Sequence, residues 1–140
     1  MRTLAATPYS CCAYGYNIVS DMPFVSLMTG ADPALETITI HRCDTLPDAP
    51  SDARALDPFS VAGTNYLSLD IEMTVRFAAL NGDTILYLPY DDVSATSFQV
   101  FLLVSGLGAL LIQCDLFVLH GNAIELEGAS MMCVGTIWCR

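Results

Sequence analysis

Three features of the sequence predict an α+β fold, with a mostly antiparallel β-rich N-terminal region, one buried helix and further short strands. Over 35–41 and 67–73, apolar side chains alternate with polar ones, the period of half-buried strands. The stretch 97–113 instead repeats its apolar residues at three and four, the period of a helix packed along one side. After it come short apolar runs broken by glycine, which read as strands and turns. The expected organisation is a β-rich region over 1–95 and a second segment over 96–140.

Each element has its own signal. Ala13-Tyr14-Gly15-Tyr16-Asn17-Ile18-Val19 reads as one extended segment, closed by a turn at Asp21-Met22-Pro23. A second strand is expected from Leu35 to His41, where Ile38 and Ile40 share a face. Residues 44–58 hold Pro47, Pro50, Pro58 and four aspartates, the composition of an exposed connection. Leu67, Leu69, Ile71 and Met73 alternate with Ser68, Asp70 and Glu72, predicting a strand with one buried face. Val75–Leu80 and Thr84–Leu88 flank Asn81-Gly82-Asp83. Asn-Gly supplies the positive φ angles of a tight hairpin. The helix is expected to bury Phe98, Phe101, Leu102, Val104, Leu107, Leu110 and Leu111. Its uninterrupted apolar part, Val100 to Ile112, is too short to span a bilayer, and Gly106 and Gly108 are expected to admit a close neighbour. Strands follow at Leu116–His120, Asn122–Leu126 and Ala129–Val134, with a turn at Glu127-Gly128.

Composition excludes whole classes of chemistry. The chain of 140 residues carries 15 acidic side chains against five arginines, a net charge of −10, and no lysine. A lysine Schiff base, a lysine general base and a lysine grip on nucleotide phosphates are all excluded. No basic stripe exists to meet nucleic acid or an anionic membrane. Six cysteines form no CxxC pair, and Cys11 and Cys12 are adjacent. They read as reduced thiols packed as small apolar residues in a cytoplasmic protein. The start, Met1 to Ser10, lacks the charged and apolar regions of a signal peptide.

The end of the chain carries the most specific pattern. Met131-Met132-Cys133-Val134-Gly135-Thr136 is an apolar strand entering a glycine, the way a phosphate-binding loop begins. Before it stands Leu119-His120-Gly121-Asn122-Ala123-Ile124-Glu125-Leu126-Glu127-Gly128. Together with Tyr14-Gly15-Tyr16 and Ser20-Asp21-Met22-Pro23, this run resembles the HPr serine kinase/phosphorylase family, in particular its shorter bacterial relatives. There a strand bearing Leu-His-Gly turns at a glycine and the next strand enters the P-loop. The resemblance spans nearly the whole chain, and its specific part is residues 118–136. It implies that 96–140 opens a P-loop kinase-like core, left incomplete, and that full-length relatives transfer phosphate from ATP with Mg to a serine.

The departure from the family is as informative. After Gly135-Thr136 the family has Ser-Gly-Ala-Gly-Lys, whereas this chain has Ile137-Trp138-Cys139-Arg140. One base inserted before TCT GGT GCA GGT AAA gives ATC TGG TGC AGG TAA, which encodes Ile-Trp-Cys-Arg and a stop. A frameshifted, inactive product of such a gene is therefore expected. Gly135 and Thr136 are the partial phosphate loop carried over from the family, without the lysine and the downstream acids that complete the chemistry. No cofactor is expected for this chain.

Other candidates have plainer readings. His120, one hairpin before the loop, titrates near neutrality but also suits a strand end bonded to a carbonyl. His41 lies on an alternating strand, and neither histidine has a partner at metal-ligand spacing, so no metal site is expected. Asp91-Asp92 suit the start of a helix, and Glu125 and Glu127 an exposed strand face. The alternative to a kinase remnant is a non-enzymatic module that binds a peptide or protein along 44–58 or the edge of the hairpin 75–88. The uncovered strands of 116–134 predict self-association.

Overall fold

The computed structural model describes residues 8–118 and 121–134. It is mixed α+β, with a nine-stranded, mostly antiparallel sheet, one 19-residue helix and a separate two-stranded hairpin. The strands are β1 (Tyr9–Ala13), β2 (Tyr16–Ser20), β3 (Met28–Thr29), β4 (Thr37–Arg42), β5 (Arg54–Asp57), β6 (Ser60–Gly63), β7 (Tyr66–Ile71), β8 (Val75–Leu80) and β9 (Thr84–Pro89). Helix α1 (Ala95–Gln113) follows, then β10 (Gly121–Leu126) and β11 (Ala129–Val134).

The sheet order is β3-β1-β2-β4-β9-β8-β7-β6-β5. An antiparallel group in the order β3-β1-β2 and an antiparallel meander from β5 to β9 flank β4, which runs parallel to both β2 and β9. The parallel connection from β2 to β4 is pinned by Asn17. Its amide donates to the carbonyls of Asp32 (2.6 Å) and Leu35 (3.1 Å), and its oxygen accepts from the Asp32 N–H at 2.8 Å.

One face of the sheet carries Ile18, Ile38, Ile40, Val75, Phe77, Ala79, Ile85 and Tyr87, all buried. Phe98, Leu102, Leu107 and Leu110 of α1 complete that core. The helix that opens the 96–140 segment thus packs into the same core as the sheet. Its ends are held by two glutamines. Gln99 donates to the Pro23 carbonyl (2.7 Å), and Gln113 bridges the β8–β9 turn, donating to Ala79 O (3.1 Å) and accepting from Gly82 N–H (2.8 Å).

Several expectations are corrected. Tyr14-Gly15 is not extended: φ is 56° and 79°, and the two residues form the tight turn between β1 and β2. The connection 44–58 holds an edge strand, β5, which pairs with β6 through an irregular register. Met73 lies beyond the end of β7, at φ 57° and exposed, so the alternation stops at Ile71. Leu116–Val118 adopt no regular structure, and the remainder of that expected strand, including His120, lies outside the described residues. The helix is longer than its uninterrupted apolar part, and by length and composition alone its 19 residues suffice to cross a membrane; here its inner side packs on the sheet. Asp91 and Asp92 do not cap it, because Ser94 is the N-cap, Asp92 is at φ 62° and the first turn has no acid.

The Asn81-Gly82 turn has φ values of 55° and 73°, as its sequence requires. The helix contains a π-helical turn, Leu102–Gly106, where the chain passes over the sheet. A Cβ on Gly106 would sit 2.9 Å from Ile85 Cδ1 and 3.7 Å from Phe77, so glycine is needed there for close approach. Gly108 meets nothing within 4 Å, and the expected neighbour is absent at that position.

Candidate functional site

Gly135, Thr136 and His120, the residues singled out by sequence, lie outside the described residues. The approach to them is described. Strands β10 and β11 pair antiparallel, with Ile124 opposite Met131, Glu125 opposite Ser130 and Leu126 opposite Ala129. Glu127 and Gly128 close the hairpin at φ 51° and 79°. Glu127 is therefore a turn residue, and of the two glutamates Glu125 alone lies on the strand. Ile124, Leu126 and Met131 point to one face and are exposed.

Beside this hairpin runs a groove of about 320 Å³, lined by Tyr14, Leu103, Val104, Leu107, Gly108 and Leu111, with Val118 and Gly121 at its end. Three elements build it. The positive-φ turn projects Tyr14, α1 supplies the aliphatic wall, and Val118 and Gly121 close one end. The phenol of Tyr14 is the one polar side chain in this lining. Such a groove holds an apolar side chain and offers no acid–base pair.

Polar clusters elsewhere tie strands together. The Asp21 carboxylate accepts from the Arg42 N–H (2.6 Å) and the Tyr87 hydroxyl (2.6 Å). Burial, then the bond to Asp21 and its charge, push the Tyr87 hydroxyl well above its ordinary range, against a smaller opposing effect of Arg42. On the other face, Tyr90 donates to Asp70 at 2.8 Å and lies 5.0 Å beneath the Arg76 guanidinium. The hydrogen bond to Asp70 is the main cause raising the Tyr90 hydroxyl. Both tyrosines stay protonated at neutral pH and act as donors, not as bases.

Cys11, Cys12, Cys43 and Cys114 are free. Burial, reinforced by Cys12, raises the Cys11 thiol, which donates to the Ile18 carbonyl. Burial and then Asp44 raise Cys43, with a backbone bond at Thr45 opposing. A raised thiol is mostly protonated at pH 7 and a weak nucleophile. Among the described residues no group of three or more His, Cys, Asp or Glu side chains could hold a metal ion.

Sequence reasoning missed the groove. Its signal was present in Leu103, Leu107 and Leu111, spaced by four, with Val104 and Gly108 beside them, but an apolar helix reads as buried on all sides until the sheet is seen to cover one. No family profile, curated protein or solved structure matches this chain.

Proposed function

We propose that these residues are the β-rich region and the P-loop approach of an HPr serine kinase/phosphorylase-like protein, without phosphotransfer activity of their own. The observation that carries the reading is the run 118–136, and the β10–β11 hairpin turning at Glu127-Gly128 supports it, since the resemblance calls for a glycine turn before the strand that enters the loop. Inactivity is read from Trp138, a bulky ring where the family's loop has a glycine that lets the backbone approach the phosphates. ATP and Mg belong to the full-length relatives, and a protein that keeps these free thiols belongs in the cytoplasm. Titrating the chain with Mg-ATP in a calorimeter should give no saturable heat. Reading the gene past codon 140 should reveal, one base out of frame, the remainder of a P-loop kinase. Saturable ATP binding lost on changing Gly135 overturns the inactivity, and the absence of such a frame overturns the family reading.

A second reading, a non-enzymatic peptide-binding module, is favoured by one observation. Where the β5–β6 turn meets the end of β7, beside the free edge of β5, Phe59, Leu69 and Ile71 line an open cleft of about 330 Å³ together with Asp57, Asp70 and Glu72. An extended basic peptide could add to that edge. A labelled arginine-containing peptide should then bind in a salt-sensitive way and weaken with Glu72→Gln; no binding at low salt removes this reading.

A further inference from the structure

We infer that Asn81-Gly82, the tip of the β8–β9 hairpin, is a site of spontaneous deamidation that the C-terminal end of α1 holds shut. Asn81 is exposed, sits at φ 55° and is followed by a residue without a side chain. Nothing on Gly82 shields its own backbone nitrogen, so that nitrogen attacks the side-chain amide of Asn81 whenever the turn opens. The attack forms a bond from Gly82 N to Asn81 Cγ and passes the N–H proton to solvent base. The side-chain nitrogen, protonated by water, leaves as ammonia. Water then opens the five-membered imide at either carbonyl, giving aspartate or isoaspartate at position 81. The step needs no reactant beyond the solvent.

The native turn blocks the first step. The Gly82 N–H donates to Gln113 Oε1 at 2.8 Å, and the Cys114 thiol donates to the Gly82 carbonyl at 3.4 Å. Gln113 is itself fixed, because its amide donates to Ala79 O at 3.1 Å. Both polar backbone groups of Gly82 are thus held from the end of α1, and the fit is close: a Cβ on Gly82 would sit 2.9 Å from Cys114 Sγ. On either side, the Asn81 N–H donates to Asn65 O at 3.0 Å and the Asp83 N–H to Leu80 O at 3.2 Å. A nitrogen whose proton is held by Gln113 neither loses that proton nor turns toward Asn81 Cγ. Imide closure therefore waits for a local opening in which Gln113 lets go.

The other asparagines set the contrast. Of Asn17, Asn65, Asn81 and Asn122, Asn81 alone precedes glycine. Asn65 shares the left-handed backbone, at φ 52°, but the buried side chain of Tyr66 follows it and crowds the attacking nitrogen. Conversion at position 81 has a structural consequence. Isoaspartate adds a backbone carbon to the loop between β8 and β9, and a turn that depends on two successive positive φ angles cannot absorb it. Phe77 and Ala79 on one strand and Ile85 and Tyr87 on the other are buried, so the register they need is strained. Gln113 then loses its partner at Gly82, and the end of α1 is loosened. None of this depends on the kinase-like reading.

Peptide mapping by mass spectrometry, with methyltransferase labelling of isoaspartate, tests this on the whole chain aged in mildly alkaline buffer. Asn81 should convert far more slowly in the folded chain than in urea, while Asn65 converts slowly in both. Gln113→Met removes both bonds of the glutamine and should speed conversion of the folded chain about threefold to tenfold, the equivalent of one ordinary hydrogen bond. If that variant does not fold, the unaltered chain decides. Deuterium exchange of the Gly82 amide and conversion of Asn81 should rise in parallel as urea is added below the unfolding transition, since both require the same opening. An unreactive Asn81 in the unfolded chain overturns the site. Equal rates in the folded and unfolded chain overturn the gate, as does an unchanged rate in folded Gln113→Met or a conversion that does not follow Gly82 exchange.

Discussion

At the scale of single residues, Asp21 shows how one carboxylate joins elements that are distant in sequence. It sits at the end of β2, donates its own N–H to Ile40 O, and accepts from Arg42 at the end of β4 and Tyr87 on β9. Tyr87 is 4 % exposed, so its hydroxyl has exchanged water for that carboxylate. Tyr87→Phe removes the donor and leaves part of Asp21 unanswered; a loss of about 1–2 kcal/mol is expected in urea denaturation, with an unchanged slope. The pH dependence has a definite sign. The tyrosine is raised by folding, so the native state holds its proton more tightly than the unfolded chain does. Its contribution is fully present below the ordinary tyrosine range near pH ~10 and is lost as pH rises above it. Stability of the unaltered protein should therefore fall above that range more steeply than that of Tyr87→Phe, and parallel curves would remove this account.

At the scale of elements, the helix and the sheet meet at a point where geometry leaves no tolerance. The π-helical turn Leu102–Gly106 widens the helix locally, and Gly106 lets it settle onto Ile85 and Phe77, both fully buried. The added isopropyl group has no free volume to enter, so Gly106→Val should cost about 1–3 kcal/mol of overpacking. Gly108, two residues on, faces open space. Gly108→Ala should instead gain about 0.5–1 kcal/mol from helix propensity, measured at concentrations where the chain is single. Equal effects of the two would show that the close approach at Gly106 carries no energetic weight. The sequence made this element legible because three-and-four periodicity is a local property. It also made the Asn81-Gly82 hairpin legible, because Asn-Gly has few other uses. Tyr14-Gly15 carries the same positive-φ pair, but tyrosine is an uncommon turn residue and the flanking runs read as continuous. The edge strand β5 was hidden because its residues are exposed throughout, so no alternation marks it. The placement of β4 between two meanders has no local signal. It depends on side chains such as Asn17, whose partners at Asp32 and Leu35 form only once the chain has turned back. Of the candidate site, the turn at Glu127-Gly128 was legible, while the groove required knowing which side of α1 the sheet covers.

At the scale of the whole molecule, the balance is between acidic charge and exposed apolar surface. Val25, Met28, Leu56, Phe59, Met73, Val100, Val104, Ile124, Leu126 and Met131 are all exposed, and they are spread over both ends of the sheet, the helix and the separate hairpin. At neutral pH a charge of −10 keeps copies apart at all of these places. That protection comes almost entirely from 15 carboxylates, whose ordinary titration range lies near pH ~4. Net charge reaches zero at about pH 4.1, so repulsion is lost just where nothing else separates the apolar patches. Solubility should pass through a sharp minimum close to that pH and recover below it as the five arginines and two histidines give a positive charge. Salt should act in opposite directions on the two sides of this account. At pH 7, raising ionic strength to about 0.15 M shortens the screening length to about 8 Å, so weak association should increase. At the minimum there is no net repulsion left to screen, and the same salt should change turbidity little. A turbidity profile that stays flat through pH 4, or one in which neutral salt disperses the protein, would show that the carboxylates do not set its colloidal behaviour.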